Sequence, residues 1–142
     1  MPTYDTILIP TDGSRPAERG VEHGLSIAAD NDADVHFVHI IDKIRHGDTP
    51  ALSNYELTLE DAEDEALADL EALAERAREH DLDTEVHCRR GMPHEEIVTV
   101  ADAVDADLVV MGKHGEGEAE LPHIGSVADR VLRTCGCPVF TV

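Results

Sequence analysis

The chain has 142 residues, 42% of them apolar but only 3% aromatic and none tryptophan, so Val, Ile, Leu and Ala must fill its core. That length suits one domain over residues 1–142, long enough to bury about 68–70% of its unfolded surface. The formal charge of −20 repels phosphate backbones and anionic lipid head groups, which excludes nucleic acid and membranes as expected partners.

The first apolar run, TILIP from Thr6 to Pro10, reads as a strand buried on both faces, and TDGSRP behind it carries turn and cap chemistry. Ser14 can cap a helix with Pro16 in its first turn, where Ala17, Val21, Leu25 and Ala28 share one face. DVHFVHII, Asp34 to Ile41, is the second strand. From Asp42 to Leu57 the periodicity lapses and turn formers gather, which predicts a long connection or lid.

Thr58 and Asp61 resemble a capping box, and Ala62, Ala66, Leu70, Leu73 and Ala77 form the apolar stripe of a long, otherwise acidic helix. TEVHCRR, Thr84 to Arg90, alternates Val86 and Cys88 inward against Glu85, His87 and Arg89, a strand with one exposed side. Pro93 then opens a third helix with Glu95 and Glu96 at its positive dipole end and Ile97, Val100, Ala101 and Val104 on one stripe. DLVVMG is a fourth strand, Val127, Ala128 and Val131 mark a fourth helix, and PVFTV is a fifth strand. This strict alternation predicts an α/β fold: one doubly wound domain with a five-stranded parallel sheet and helices on both faces. Ligands of such sheets bind beyond the carboxyl ends of the strands, where the strand order reverses.

Two loops fall at that end, PTDGS and GKHGEGEAELPHIGS. In the second, Gly112, Gly115, Gly125 and Ser126 stand at the spacing G, two residues, G, nine residues, G-S. Glycines at 112 and 115 can adopt positive φ and let backbone amides approach an anion. Gly125 and Ser126 at a helix start offer free N–H groups, a hydroxyl and the positive end of the dipole. The pattern is neither a Walker loop nor the tighter G-x-G-x-x-G of dinucleotide folds.

With ILIPTDGS at one end, CPVFTV at the other, and VHIID, GMPHEEI and MGKHG between, the chain resembles the universal stress protein family. In that family the G-2x-G-9x-G-(S/T) spacing marks members that bind ATP. The resemblance implies that Pro10, Thr11 and Asp12 border the adenosine, with Asp12 toward adenine and ribose, and that Ile40 contacts adenine through its backbone. Met111 would flank the nucleotide. Gly112, Gly115, Gly125, Ser126 and Val127 would contact ribose and phosphates, with the Ser126 hydroxyl as a donor. A homodimer joined through the last strand, Val139 to Val142, is implied as well. One departure from the pattern is the acid after Gly115: Glu116, Glu118 and Glu120 stand where the family commonly carries small, hydroxyl or basic residues. Mg2+ accompanying the ATP, or high potassium, could offset their repulsion, or these side chains could point to solvent.

Plainer readings compete at several positions. Asp12 fits a ligand contact or a turn cap, and the glycine loop favours the former. His114 and His123 read as solvent-exposed loop residues without a role. His36 and His39 fall on opposite faces of their strand and cannot grip one ion. Cys88, Cys135 and Cys137 form an odd set expected to be reduced thiols, and no second pair completes a zinc-site spacing.

The acid is spread along the chain against two lysines and nine arginines, which fits a salty cytosol better than a dedicated basic partner. No apolar run approaches the roughly 20 residues that span a bilayer, and the opening MPTYDTILIPTDGS lacks a secretory pattern, so a cytoplasmic location is expected. The function expected is a stress-response regulatory module that binds ATP between the first and fourth strands. Hydrolysis would be slow at most, because Lys113 is the only cation in the candidate loops. The alternative is a stress-associated interaction protein that holds no nucleotide.

Overall fold

A computed structural model of the chain describes residues 3–42, 52–115 and 123–142, with the backbone alone for 52–57. Most of the predicted lid and the acids Glu116, Glu118 and Glu120 lie outside the described residues. Among the described residues nine elements alternate: β1 (Thr6–Pro10), α1 (Arg15–Asn31), β2 (Asp34–Asp42), α2 (Leu52–Arg78), β3 (Thr84–Gly91), α3 (Pro93–Ala103), β4 (Leu108–Met111), α4 (Ser126–Thr134) and β5 (Val139–Thr141). The strands form one parallel sheet in the order β3-β2-β1-β4-β5, as the doubly wound reading expects. The chain first winds from β1 toward β3 and then returns to the other side of β1, so the order reverses between β1 and β4.

The central strands are apolar along their length because both faces are covered. Ile7 and Ile9 point to a core shared with Val21, Leu25 and Ala28 of α1 and Leu70 and Ala77 of α2. Leu8 and Val109 point the other way, against Ile97 and Val100 of α3 and Val131 of α4. Each of the Val, Ile and Leu side chains among them contributes about 1.5–3 kcal/mol when fully buried. Ser14 caps α1, its hydroxyl oxygen accepting from the Ala17 N–H at 3.3 Å, and Asp32 ends the helix in the left-handed conformation.

Two local expectations change. α2 begins at Leu52, so Thr58 is inside the helix and does not open a capping box. LSNYEL contains neither Gly nor Pro, and an established helix propagates through such residues more readily than it stops. β3 lies at the sheet edge, but His87 on its outward side is half-buried rather than exposed. Its ring meets that of His36 from β2 edge to edge, with the planes 25° apart, the centroids 5.2 Å apart and His36 Nδ1 3.0 Å from His87 Nε2. Among the described residues no helix is long and apolar enough to cross a membrane.

Candidate functional site

The chain leaves β1 and β4 toward opposite sides of the sheet, and the gap between their ends opens into a cleft of about 240 Å³. Its floor is apolar: Val38 and Ile40 of β2, Met111 of β4, Ile97 of α3 and Ala128 of α4. Pro10, Thr11 and Asp12 form one rim, Gly112, His114 and Gly115 another, and Gly125, Ser126 and Val127 a third. All ten residues singled out in the sequence, Pro10, Thr11, Asp12, Ile40, Met111, Gly112, Gly115, Gly125, Ser126 and Val127, therefore line one cavity. They come from three strand ends and one helix start, separated by more than half the chain.

The turn after β1 is held by its own side chains. The Thr11 N–H continues the sheet pairing to the Val38 carbonyl at 2.9 Å, while the Thr11 hydroxyl accepts from the Gly13 N–H at 3.2 Å. Asp12 Oδ1 accepts from the Ser14 N–H at 3.0 Å, and Gly13 turns the chain at φ +80°. Asp12 thus performs the turn role weighed for it and also borders the cleft. The two readings are compatible because a carboxylate has two oxygens and several acceptor directions.

Gly112 departs from the reason first given for it. Positive φ among the described glycines occurs at Gly13 and Gly91, not at Gly112. What Gly112 provides is close approach: a Cβ there would lie 2.3 Å from the Pro16 carbonyl oxygen. Gly20 fulfils the matching need on the helix, since its Cβ would lie 2.7 Å from the Gly112 nitrogen. α1 is thereby seated directly against the root of the glycine loop.

That loop is pinned at both ends. Lys113 donates its N–H to the Val142 carbonyl at 2.9 Å, and its own carbonyl accepts from the Gly125 N–H. His114 Nε2 bonds the His123 carbonyl, which requires the proton on that nitrogen. His123 is exposed, as expected, but His114 is half-buried, lines the cleft and bridges the loop ends. The sequence expectation gave it no role because, with nine histidines in the chain, chance placement in a loop accounts for it, and its position says nothing of what stands across the loop.

Three helices begin near this rim, and they differ in what they offer an anion. α1 already has its Ser14 cap. α3 has no side-chain cap, but its first helical residue is Pro93, which has no N–H, and Glu95 and Glu96 occupy its first turn. α4 starts after Gly125 without a side-chain cap, carries one acid, Asp129, in its first turn, and lines the cleft with Ser126, Val127 and Ala128. The start of α4 is thus the best anion position, facing an apolar slot.

Sequence reasoning missed Val38, Asp42, Pro93 and Ile97 as lining residues. VHIID and GMPHEEI held the signal, because they end a strand and begin a helix at the same sheet edge. No Lys or Arg is among the described lining residues. A second cavity adjoins the first through Asp12, Ile40 and Asp42, and Glu65 and Asp69 of α2 make it acidic.

Cys135 and Cys137 are half-buried free thiols, their sulfurs 3.4 Å apart. Burial first, then the neighbouring Cys135, pushes the Cys137 thiol up to about 12.

Comparison with known proteins fits this architecture. The family model described as the universal stress protein family matches residues 3–142. The universal stress protein MJ0531 of Methanocaldococcus jannaschii is 34% identical over 139 residues, covering 98% of this chain and 82% of the relative. The solved structure of MJ0577, a universal stress protein of the same organism, superposes with a TM-score of 0.87 at 28% identity, covering 99% of this chain and 96% of that one. A universal stress protein solved in complex with cAMP superposes with a TM-score of 0.71 at 26% identity, covering 99% and 98%.

Proposed function

The chain belongs to the universal stress protein family, and from that premise we propose that it is a regulatory nucleotide-binding module of the stress response, with ATP as its ligand. In this reading residues 1–142 act as one domain. The observation that carries it is the meeting of an apolar slot with the uncapped start of α4 in a single cleft. The cAMP complex of a relative supports an adenine nucleotide as the class of ligand.

The base would lie over Val38 and Ile40, with Asp12 toward ribose and adenine. The phosphates would run along Gly112, Gly115, Gly125, Ser126 and Val127. At about 240 Å³ the cleft is below the usual range of about 300–1,000 Å³, so the phosphate tail would extend to its mouth. Mg2+ with the ATP would offset the carboxylates Asp12 and Asp42. Hydrolysis would be slow, because no basic side chain among the described lining residues can clamp a departing phosphate. Dimerisation through β5 is supported by its edge position and by Phe140, which is 44% exposed there.

The absence of a basic clamp among those residues also favours a second reading, an interaction module that holds no nucleotide. Denaturing freshly purified protein and assaying the supernatant for adenine nucleotide separates the two. The apo protein is then titrated with Mg-ATP, AMP and cAMP in concentrated KCl. Released nucleotide or saturable binding, weakened by Gly125→Val, supports the first reading. No nucleotide and no binding supports the second.

A further inference from the structure

We propose that His36, His87 and Glu85 form a binding site for a divalent late transition-metal ion that ties the edge strand β3 to β2. The site would lie near the start of these strands, away from the cleft at their carboxyl ends.

The sheet register brings the three residues to one face. His36 is paired with Glu85 across the parallel ladder, and Val38 with His87. Residues two apart on a strand share a face, so Glu85 and His87 stand beside His36. His39 falls on the other face of β2, and the partner His36 lacks within its own strand is supplied by β3.

The donor atoms converge. His36 Nδ1 lies 3.0 Å from His87 Nε2 and 3.6 Å from Glu85 Oε2, and all three donor atoms lie within 4.8 Å of one another. Two imidazole nitrogens bound at roughly 2.0–2.1 Å to one ion stand about 2.9 Å apart at a right angle and about 3.3–3.4 Å apart in a tetrahedron. The histidine nitrogens already stand at the spacing of two ligands of one ion, and each ring must swing so that its lone pair turns from the other ring toward the ion. The carboxylate must come closer, and it is the free arm: the Glu85 side chain is 72% exposed, against 13% for His36.

A neighbouring positive charge is already paired. Arg89, on the same face, is engaged by Glu96 at 3.2 Å, which reduces its repulsion of a cation. Two imidazoles and a carboxylate make a donor set suited to zinc, copper or nickel, with room for a water or an outside ligand to complete the coordination.

The competing explanation is a plain hydrogen bond between two neutral rings, and zinc titration separates the two. Untagged full-length protein, stripped with a chelator, is titrated against a colorimetric zinc chelator. One equivalent of zinc is expected to bind, with the ring resonances of His36 and His87 shifting in the NMR spectrum. His36→Gln, His87→Gln and Glu85→Gln should each weaken zinc binding at least about tenfold. Glu85→Gln changes an exposed side chain and leaves the fold intact, so the test survives if a histidine variant unfolds. Zinc should also raise the thermal midpoint of the wild type by more than that of Glu85→Gln at the same concentration. Failure to bind zinc, equal binding by wild type and Glu85→Gln, or loss of binding only on Cys135→Ser with Cys137→Ser would each overturn the proposal.

Discussion

The carbonyl oxygen of Pro16 stands 2.3 Å from the point where a side chain on Gly112 would begin. The first turn of α1 and the root of the glycine loop thus interlock through a missing Cβ, and the shape of the cleft depends on that contact.

Gly112→Ala is expected to destabilise the protein by about 1–3 kcal/mol, because the obstacle is backbone and cannot swing aside. Gly136→Ala is the control, since nothing lies within 4 Å of its Cβ position. Urea unfolding of both variants checks this. Equal midpoints would show that α1 and the loop separate without cost.

Stability should rise with potassium chloride. The chain carries 31 acids against 11 Lys and Arg. Among the described ion pairs several are exposed, such as Arg133 with Asp129 and Arg78 with Glu71. Exposed pairs contribute little, whereas general repulsion is relieved as the screening length falls from about 10 Å at 0.1 M to about 3 Å at 1 M. Thermal midpoints measured between those concentrations should climb. A flat or falling trend would remove salt adaptation as the reason for the acidity.

Cys137 should resist alkylation. With its thiol pushed up to about 12, by burial first and then by Cys135, its thiolate fraction near pH 8 falls well below that of an ordinary thiol. Cys88 is shifted the same way, by burial first and then by Glu63. Timed iodoacetamide labelling read by peptide mass should show both lagging behind the same cysteines in urea. Rapid native labelling of Cys137 would contradict its thiol character.

Acid should weaken the fold in part through His87. Its folded pKa is lowered below 6.5, first by burial and then by His36, with Arg89 acting in the same direction and Glu85 opposing. Between that lowered value and 6.5 the unfolded chain binds more protons, so stability is fully present above 6.5 and lost as pH falls through the folded value. Urea midpoints from pH 7.5 to 5 should fall, and His87→Gln should flatten that slope. An unchanged slope in the variant would assign the acid sensitivity to other groups.

Much of the fold was legible because local patterns specify local structure. The five-residue run TILIP became β1 at its predicted bounds, and Ser14 with Pro16 set the start of α1. The far end of the lid segment was misread, since Leu52 to Leu57 shows little apolar period and yet continues a helix. His114 was misread for a different reason: its partner is nine residues away across a loop.

By itself the sequence determined the alternation of strands and helices, the faces they bury and the glycine spacing at the start of α4. Periodicity along one element says which side faces inward, and nothing about which element it meets. Tertiary structure alone decided the strand order, the gathering of three strand ends around one cleft, the reason for Gly112 and the meeting of His36 with His87. Those depend on parallel crossovers, which join residues far apart in the chain through the register of the sheet.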